Sequence, residues 1–421
     1  MPKARCTVWL CALAALLSPI VLAACGSDRA PVTIAESGQQ EAGAQGSKPA
    51  VVAALPVTRN TSRIDGSTAE ADAAEVALAT HPRFEGAKPI EAAVIVPAQD
   101  WQAGVAASVL AGDPLRAPIL LSQPGSVPDE TAAALEALQP QGGSGPADAA
   151  AYRVGDAAVP DGLATSDIGG DTPAARAAKI DQLRGRLTGA EPASVLVVSD
   201  AEPGFAMPAA AWAARSGDPV LFVGQDDVPP ETSAALDRHK ASSVYLLGPE
   251  SVASAKVLRE LQRSSPGVKR ISGDDPIANA IVFAQFSDAG FGWGITDPGH
   301  GIVIANSDRP SDAGAAAALS ASGTYGPLLL TDSATTLPEP LREFLLSIKP
   351  GYSEDPTRAL YNRVWLIGEG RALSGALQGQ IDEITELARI GVAGAPATAV
   401  LPGQGAKEQE PVTPPGGKKV K

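Results

Sequence analysis

Cysteine is almost absent. The chain carries three, Cys6, Cys11 and Cys25, all near its start. Beyond them no pair exists to form a disulfide, so the long remainder must stand on a hydrophobic core. Histidine is equally scarce: His81, His239 and His300 lie far apart, at no metal-ligand spacing. Neither Gly-x-Ser-x-Gly nor Gly-x-x-x-x-Gly-Lys-Ser/Thr occurs, so the signatures of a hydrolase elbow and a phosphate loop are missing. Basic residues are outnumbered, 33 Lys and Arg against 47 Asp and Glu, for a formal net charge of -14. That balance argues against holding nucleic acid or anionic lipid by bulk charge. Aromatic residues make up only 4%. The expectation is a protein with no catalytic residue, no metal ligand and no cofactor.

What is present begins at the N-terminus. Lys3 and Arg5 precede an apolar run from Val8 to Ala24, about 17 residues and at the short limit for crossing a bilayer. A basic start, an apolar core and small residues at its end describe a secretory signal. Leu22-Ala23-Ala24-Cys25 resembles the bacterial lipobox, which implies cleavage before Cys25 and lipidation of its sulfur. Residues 1–24 are then a lipoprotein signal peptide and 25–60 a flexible tether. Residues 391–421 form a disordered tail, since neither polar stretch can bury enough apolar surface to order itself. Loss of Lys3 and Arg5 moves the charge from -14 to -16. Attachment to the outer face of the cell membrane would then be by lipid, two acyl chains sufficing for stable anchoring.

Between the ends the chain repeats itself. Pro118-Ile119-Leu120-Leu121, Pro219-Val220-Leu221-Phe222 and Pro327-Leu328-Leu329-Leu330 each lead through a polar turn to Val-Pro or Leu-Pro. Ahead of them stand Arg63-Ile64-Asp65-Gly66, Ile168-Gly169-Gly170-Asp171 and Arg270-Ile271-Ser272-Gly273. Each of these opens an Ala-rich segment followed by an apolar run, at Ala93–Val96, Val195–Val198 and Ile302–Ala305. Behind them come Tyr152-Arg153-Val154-Gly155, Tyr245-Leu246-Leu247-Gly248 and Trp365-Leu366-Ile367-Gly368. The same markers in the same order three times define a triplicate, with units at 61–165, 166–268 and 269–390.

Within a unit, the short apolar runs rich in branched residues read as strands buried on both faces. The stretches between them, roughly 101–111 and 128–138 in the first unit, read as helices. Proline followed by acidic residues makes a good first helical turn at Pro128, Pro229 and Pro338. Strand and helix in alternation predict α/β modules with parallel sheets and right-handed crossovers.

These residues carry a resemblance. Arg-Ile-x-Gly, an apolar strand, Pro-Ile-Leu-Leu with Val-Pro after it, and aromatic-x-[Val/Ile]-Gly look like the cell-wall-binding repeat type 2 family, over about residues 60 to 390. The resemblance implies three tandem Rossmann-like or Toprim-like modules packed as an intramolecular pseudo-trimer on a Gram-positive surface. It also implies non-covalent binding of an anionic wall polymer, with Pro118–Leu121, Pro219–Phe222 and Pro327–Leu330 near the polymer groove. The family's Asp-Arg-Tyr-x-Thr-Ala after Arg-Ile-x-Gly is replaced here, by Ser67–Glu70, Asp171–Ala174 and Asp274–Ile277. The basic-aromatic pair is therefore gone.

Two further features stand beside this. Gly290-Phe291-Gly292-Trp293-Gly294 reads as an aromatic-bearing loop. Asp200, Glu202, Asp226 and Asp227 would converge at the carboxyl ends of two strands, where open α/β sheets bind ligands; a bridging cation and plain helix caps are the alternatives. The expected function is a membrane-anchored envelope lipoprotein that binds a wall polymer or an envelope protein without catalysis. The alternative, a solute-binding lipoprotein of a transporter, fits three-fold repetition and few aromatics less well.

Overall fold

The computed structural model describes residues 57–84, 86–143, 145, 148–321 and 323–390. Strand β1 (Thr61–Ile64) and helix α1 (Ala69–Thr80) lead into β2 (Ala93–Pro97), α2 (Trp101–Ala107), β3 (Ile119–Ser122), α3 (Asp129–Leu138), β4 (Ala151–Val154) and β5 (Thr165–Ile168). The same course returns as α4 (Pro173–Thr188), β6 (Ser194–Ser199), α5 (Pro203–Ser216), β7 (Val220–Val223), α6 (Pro230–Arg238), β8 (Ser243–Leu247), α7 (Ala255–Ser264) and β9 (Lys269–Ile271). It returns again as α8 (Pro276–Gln285), β10 (Gly301–Asn306), α9 (Ser311–Ala321), β11 (Leu328–Thr331), α10 (Glu339–Ser347), β12 (Gly351–Tyr352), β13 (Arg363–Ile367), α11 (Gly375–Thr385) and β14 (Ala388–Arg389).

Three four-stranded sheets result, ordered β3-β2-β4-β5, β7-β6-β8-β9 and β11-β10-β13-β1, and every pairing in them is parallel. β2, β6 and β10 are buried along their whole length, as inner strands covered on both faces must be. The fold is α/β with parallel sheets.

The sheets do not coincide with the sequence units. A cut at 165/166 passes through β5, which hydrogen-bonds to β4 before it in the chain. β9 likewise belongs to the sheet of β8. β1, which opens the first unit, completes the third sheet by pairing Thr61–Ile64 with Val364–Ile367. The first strand therefore closes the last sheet, and the chain's two described ends meet in one hydrogen-bonded element. The physical reason is continuity: the Arg-Ile strand finishes one sheet, and the helix after it crosses to the next. α1, α4 and α8 pack along the free edges of β3, β7 and β11. That cover removes the open edges such strands would otherwise present.

Helix starts follow the sequence closely. Thr68, Thr172 and Asp275 accept hydrogen bonds from the amides of Ala71, Ala175 and Ala278 and cap α1, α4 and α8. α2, α5 and α9 pack against one another pairwise. Their small side chains permit this: a Cβ on Gly314 of α9 would lie 2.6 Å from the carbonyl carbon of Gly104 in α2. From Gly204 to Ala214 every residue of α5 is buried, as a helix apolar all round should be. One continuous apolar core runs through all three sheets.

Candidate functional site

The triplicated phrase forms the strands β3, β7 and β11 and the proline before each. The carbonyl oxygens of Pro118, Pro219 and Pro327 each accept a hydrogen bond at 3.0 Å, from the amides of Val94, Leu196 and Val303. These strands are sheet edges, where a proline's missing N–H costs nothing. Pro118, Ile119, Leu120, Leu121, Pro219, Val220, Leu221, Phe222, Pro327, Leu328, Leu329 and Leu330 are all buried. Their alternate faces meet the core on one side and a helix layer on the other. The threonine three residues into the Val-Pro segment ties helix to strand in two copies: Thr232 Oγ1 donates to the Phe222 carbonyl at 2.6 Å, and Thr131 Oγ1 likewise to that of Leu121. Leu341 fills the third equivalent with apolar volume.

Arg-Ile-x-Gly is also occupied internally. Arg63 Nη1 donates to the Gly368 carbonyl and Arg270 Nη1 to that of Gly248, both at 2.7 Å. Each arginine thus clips its strand to the glycine that ends the neighbouring strand. Arg63 also reaches Gln378 Oε1 through Nε at 3.1 Å and Nη2 at 2.9 Å. Burial lowers the pKa of both arginines. In the first sheet Asp167 stands at this position and forms an ion pair with Arg153 of β4, 2.7 Å away. The glycines that follow, Gly66, Gly170 and Gly273, lie too close to the next helix for a side chain; on Gly170 a Cβ would meet the Arg176 amide nitrogen at 2.9 Å.

Six residues past each of those glycines comes a side chain that meets the turn following a first strand. Asp72 accepts a hydrogen bond from Arg309, which also binds Asp312 at 2.7 Å; both carboxylates are fully buried. Arg176 meets Asp100 at 2.8 Å. Asn279 Oδ1 accepts the Gly273 amide at 3.1 Å, as Asp72 Oδ1 accepts that of Gly66 at 2.9 Å. One position thus carries an acid, a base and an amide, and the two ion pairs have opposite polarity. Arg309 can neutralise only one of two buried carboxylates, so the other holds a proton. Burial, and then the charge of Asp312, push the Asp72 pKa up to about 9, and burial raises Asp312 as well.

A cleft of ≈ 480 Å³ opens where α4 and α6 end. Three arginines line it, Arg184, Arg186 and Arg238, against two carboxylates, Asp181 and Glu191. His239 bridges those carboxylates, Nε2 to Asp181 at 2.8 Å and Nδ1 to Glu191 at 2.6 Å. Arg238 Nη2 donates to Asp181 at 3.1 Å, and Arg184 Nε lies 3.7 Å from the other Asp181 oxygen. Burial opposes the charge on His239, but its bonds to Asp181 and Glu191 outweigh that and raise its pKa. Burial would raise Asp181 too, but the hydrogen bonds of His239 and Arg238 and the charge of Arg184 bring it down. In a chain of net charge -14 this is a local excess of cations.

Of the acidic residues at the second sheet's carboxyl edge, Asp200 and Asp227 do approach: burial and then the charge of Asp227 raise the Asp200 pKa. Among the described residues no group of three or more His, Cys, Asp or Glu is placed to hold a metal ion. His81 is held through Nε2 at the Arg116 carbonyl, 2.9 Å away. Among the described residues no helix is long and apolar enough to cross a membrane. Cys25, the signal peptide 1–24, nearly all of the tether and the tail 391–421 lie outside the described residues. The arginine cleft escapes a reading by motif, because α4 and α6 supply its cations from places some fifty residues apart in the chain. Its only linear trace is Arg184-x-Arg186 near the end of a helix.

Comparisons with known proteins agree with the fold. Two solved structures are similar to the chain, both with a TM-score of 0.59. Cwp6 from Clostridium difficile is 18% identical over 79% of this chain and 50% of its own. Cwp8 from Clostridium difficile is 21% identical over 78% of this chain and 52% of its own. The chain thus spans about half the length of these relatives, and at such identity the likeness is one of fold. No curated protein matches it. Residues 168–258 match the profile of Cell wall binding domain 2 (CWB2). They run from the end of β5 through β6, β7 and β8 into α7. The matched segment covers most of the second α/β unit of this chain and contains the arginine cleft.

Proposed function

We propose that the chain is a non-catalytic, cell-wall-associated protein of the bacterial surface whose α/β body holds an anionic wall polymer non-covalently. The observation that carries this reading is the match of residues 168–258 to Cell wall binding domain 2. The arginine cleft supports it, because Arg184, Arg186 and Arg238 gather positive charge within that segment. Guanidinium groups favour phosphate and carboxylate through paired donors. The buried residues Pro118–Leu121, Pro219–Phe222 and Pro327–Leu330 would serve the polymer by holding the turns after them, not by touching it. Three related units, at 61–165, 166–268 and 269–390, would offer a long polymer more than one foothold. Lipidation of Cys25 would fix the protein to the outer face of the membrane, with 25–60 as tether.

The test is sedimentation of the full chain, in mild detergent, with Gram-positive cell walls before and after stripping of their secondary polymer. Binding is expected to intact walls, to weaken with salt as screening demands, and to vanish on stripping. Arg186→Gln with Arg238→Gln, both exposed and so tolerable to the fold, should weaken it. Failure to bind intact walls would overturn the reading.

A further inference from the structure

The aromatic-bearing loop Gly290–Gly294 is left without a role by the wall-binding reading. It lies in the connection from α8 to β10, residues 286–300, where the second unit needs only 189–193 between α4 and β6. This longer connection folds over the start of the second sheet and walls a cleft of ≈ 580 Å³. Sites for small ligands span roughly 300–1,000 Å³.

Aromatic residues are 4% of the chain, yet seven gather here. Trp212, Tyr245, Trp293 and Tyr325 line the cleft. Behind them pack Phe283, Phe286 and Phe291, with Phe291 stacked on Tyr245 at 3.6 Å between ring centroids. Trp212 and Trp293 meet edge to face at 5.4 Å. The polar groups are held as firmly. Asp218 accepts Trp212 Nε1 at 2.9 Å and the Ser194 amide at 3.1 Å. The Arg215 guanidinium lies 3.6 Å over the exposed ring of Tyr325. Trp293 Nε1 is buried with no hydrogen-bond partner, a donor that native structures rarely leave unanswered.

A core would cluster aromatics without opening a cleft among them, and a purely apolar ligand would strip water from the exposed Arg215, Ser216 and Ser243. Aromatic rings bordered by hydroxyls and a guanidinium match a ligand that is apolar on its faces and polar around its rim. That is the chemistry of a pyranose. We propose that this cleft is a glycan subsite that takes a sugar ring of the wall polymer, with Arg215 placed to meet an acidic substituent. The inference rests on the wall-binding reading and names the part of the polymer that this cleft grips. The cleft lies between the second unit, which supplies Trp212 and Tyr245, and the long connection of the third, which supplies Trp293; the corresponding connections 81–92 and 189–193 hold no tryptophan.

The experiment uses the full chain in detergent and polysaccharide released from cell walls as a soluble probe. Indole emission, to which Trp212 and Trp293 contribute, should shift on titration with it. Trp293→Ala and Arg215→Ala should each weaken binding about tenfold or more, as anchor residues do, while Trp293→Phe keeps most of it. Near-ultraviolet circular dichroism checks that the variants fold. If the wild type sediments with walls but the two alanine variants do so equally well, the cleft is not the subsite and wall binding lies elsewhere. Polysaccharide that leaves the emission unchanged also overturns the subsite, whether or not intact walls are bound. A wild type that ignores intact walls overturns the broader reading instead.

Discussion

Replacing Arg309 with Met would leave Asp72 and Asp312 facing each other with no cation. Both side chains are fully buried, and Arg309 contacts both. In the wild type one cation serves two buried carboxylates, and burial beside Asp312 pushes Asp72 up to about 9, so the pair shares one proton at pH 7. In the variant the second carboxylate must be protonated too. Taking a proton onto an acid whose ordinary value is near 4 costs, at pH 7, about three pKa units, or ~4 kcal/mol at ~1.4 kcal/mol each. This agrees with the ~3–5 kcal/mol typical of breaking a buried ion pair from one side. The sign is set by linkage. An acid with a raised folded pKa binds a proton in the native state that the unfolded chain has released, so stability falls as pH rises above the ordinary carboxylate range. The wild type has one such excess proton here and the variant two, so the variant's stability should fall more steeply between pH 4.5 and 7. Urea unfolding followed by circular dichroism at both pH values measures it. The expected loss is ~4 kcal/mol at pH 7, shrinking to ~1 kcal/mol at pH 4.5. A loss below ~1 kcal/mol at pH 7, or one independent of pH, would refute the reasoning.

Other outcomes follow from the same geometry. Arg63→Met removes charged donors to Gly368 and Gln378 where β1 joins β13; it should cost ~2–4 kcal/mol and make the third sheet the first region cut in limited proteolysis. Gly314→Ala should force α9 away from α2 and lower stability by ~1–3 kcal/mol, read as a fall in Tm. His239 has a raised pKa beside Asp181 and Glu191, so its stabilisation is complete below its ordinary value and is lost as pH rises through the raised one. His239→Gln should therefore cost stability at pH 6 and much less well above that raised value, and an NMR titration of the imidazole should show the upward shift directly.

The alternation of strand and helix was open to reading because burial on both faces leaves little choice of residue: Ala93–Pro97, Ser194–Ser199 and Gly301–Asn306 are near-continuous apolar runs. Caps such as Thr68, Thr172 and Asp275 were equally visible, since they answer a local need of the helix end. The Ala-rich stretches announced helices, but not that three of them would meet; only packing shows that α2, α5 and α9 need small side chains because each buries against the other two.

The sequence by itself determined the period, the parallel α/β character and the places where proline could stand, because each depends on neighbours a few residues away. Tertiary structure decided the rest. Which sheet owns Thr61–Ile64 depends on a strand some three hundred residues later. Whether an arginine is free or spent depends on carbonyls brought to it by another turn, as Gly368 is to Arg63 and Gly248 to Arg270. Both clefts join residues from separate helices and loops. Local pattern records what a segment must bury, whereas a binding surface depends on what the folded chain sets beside it.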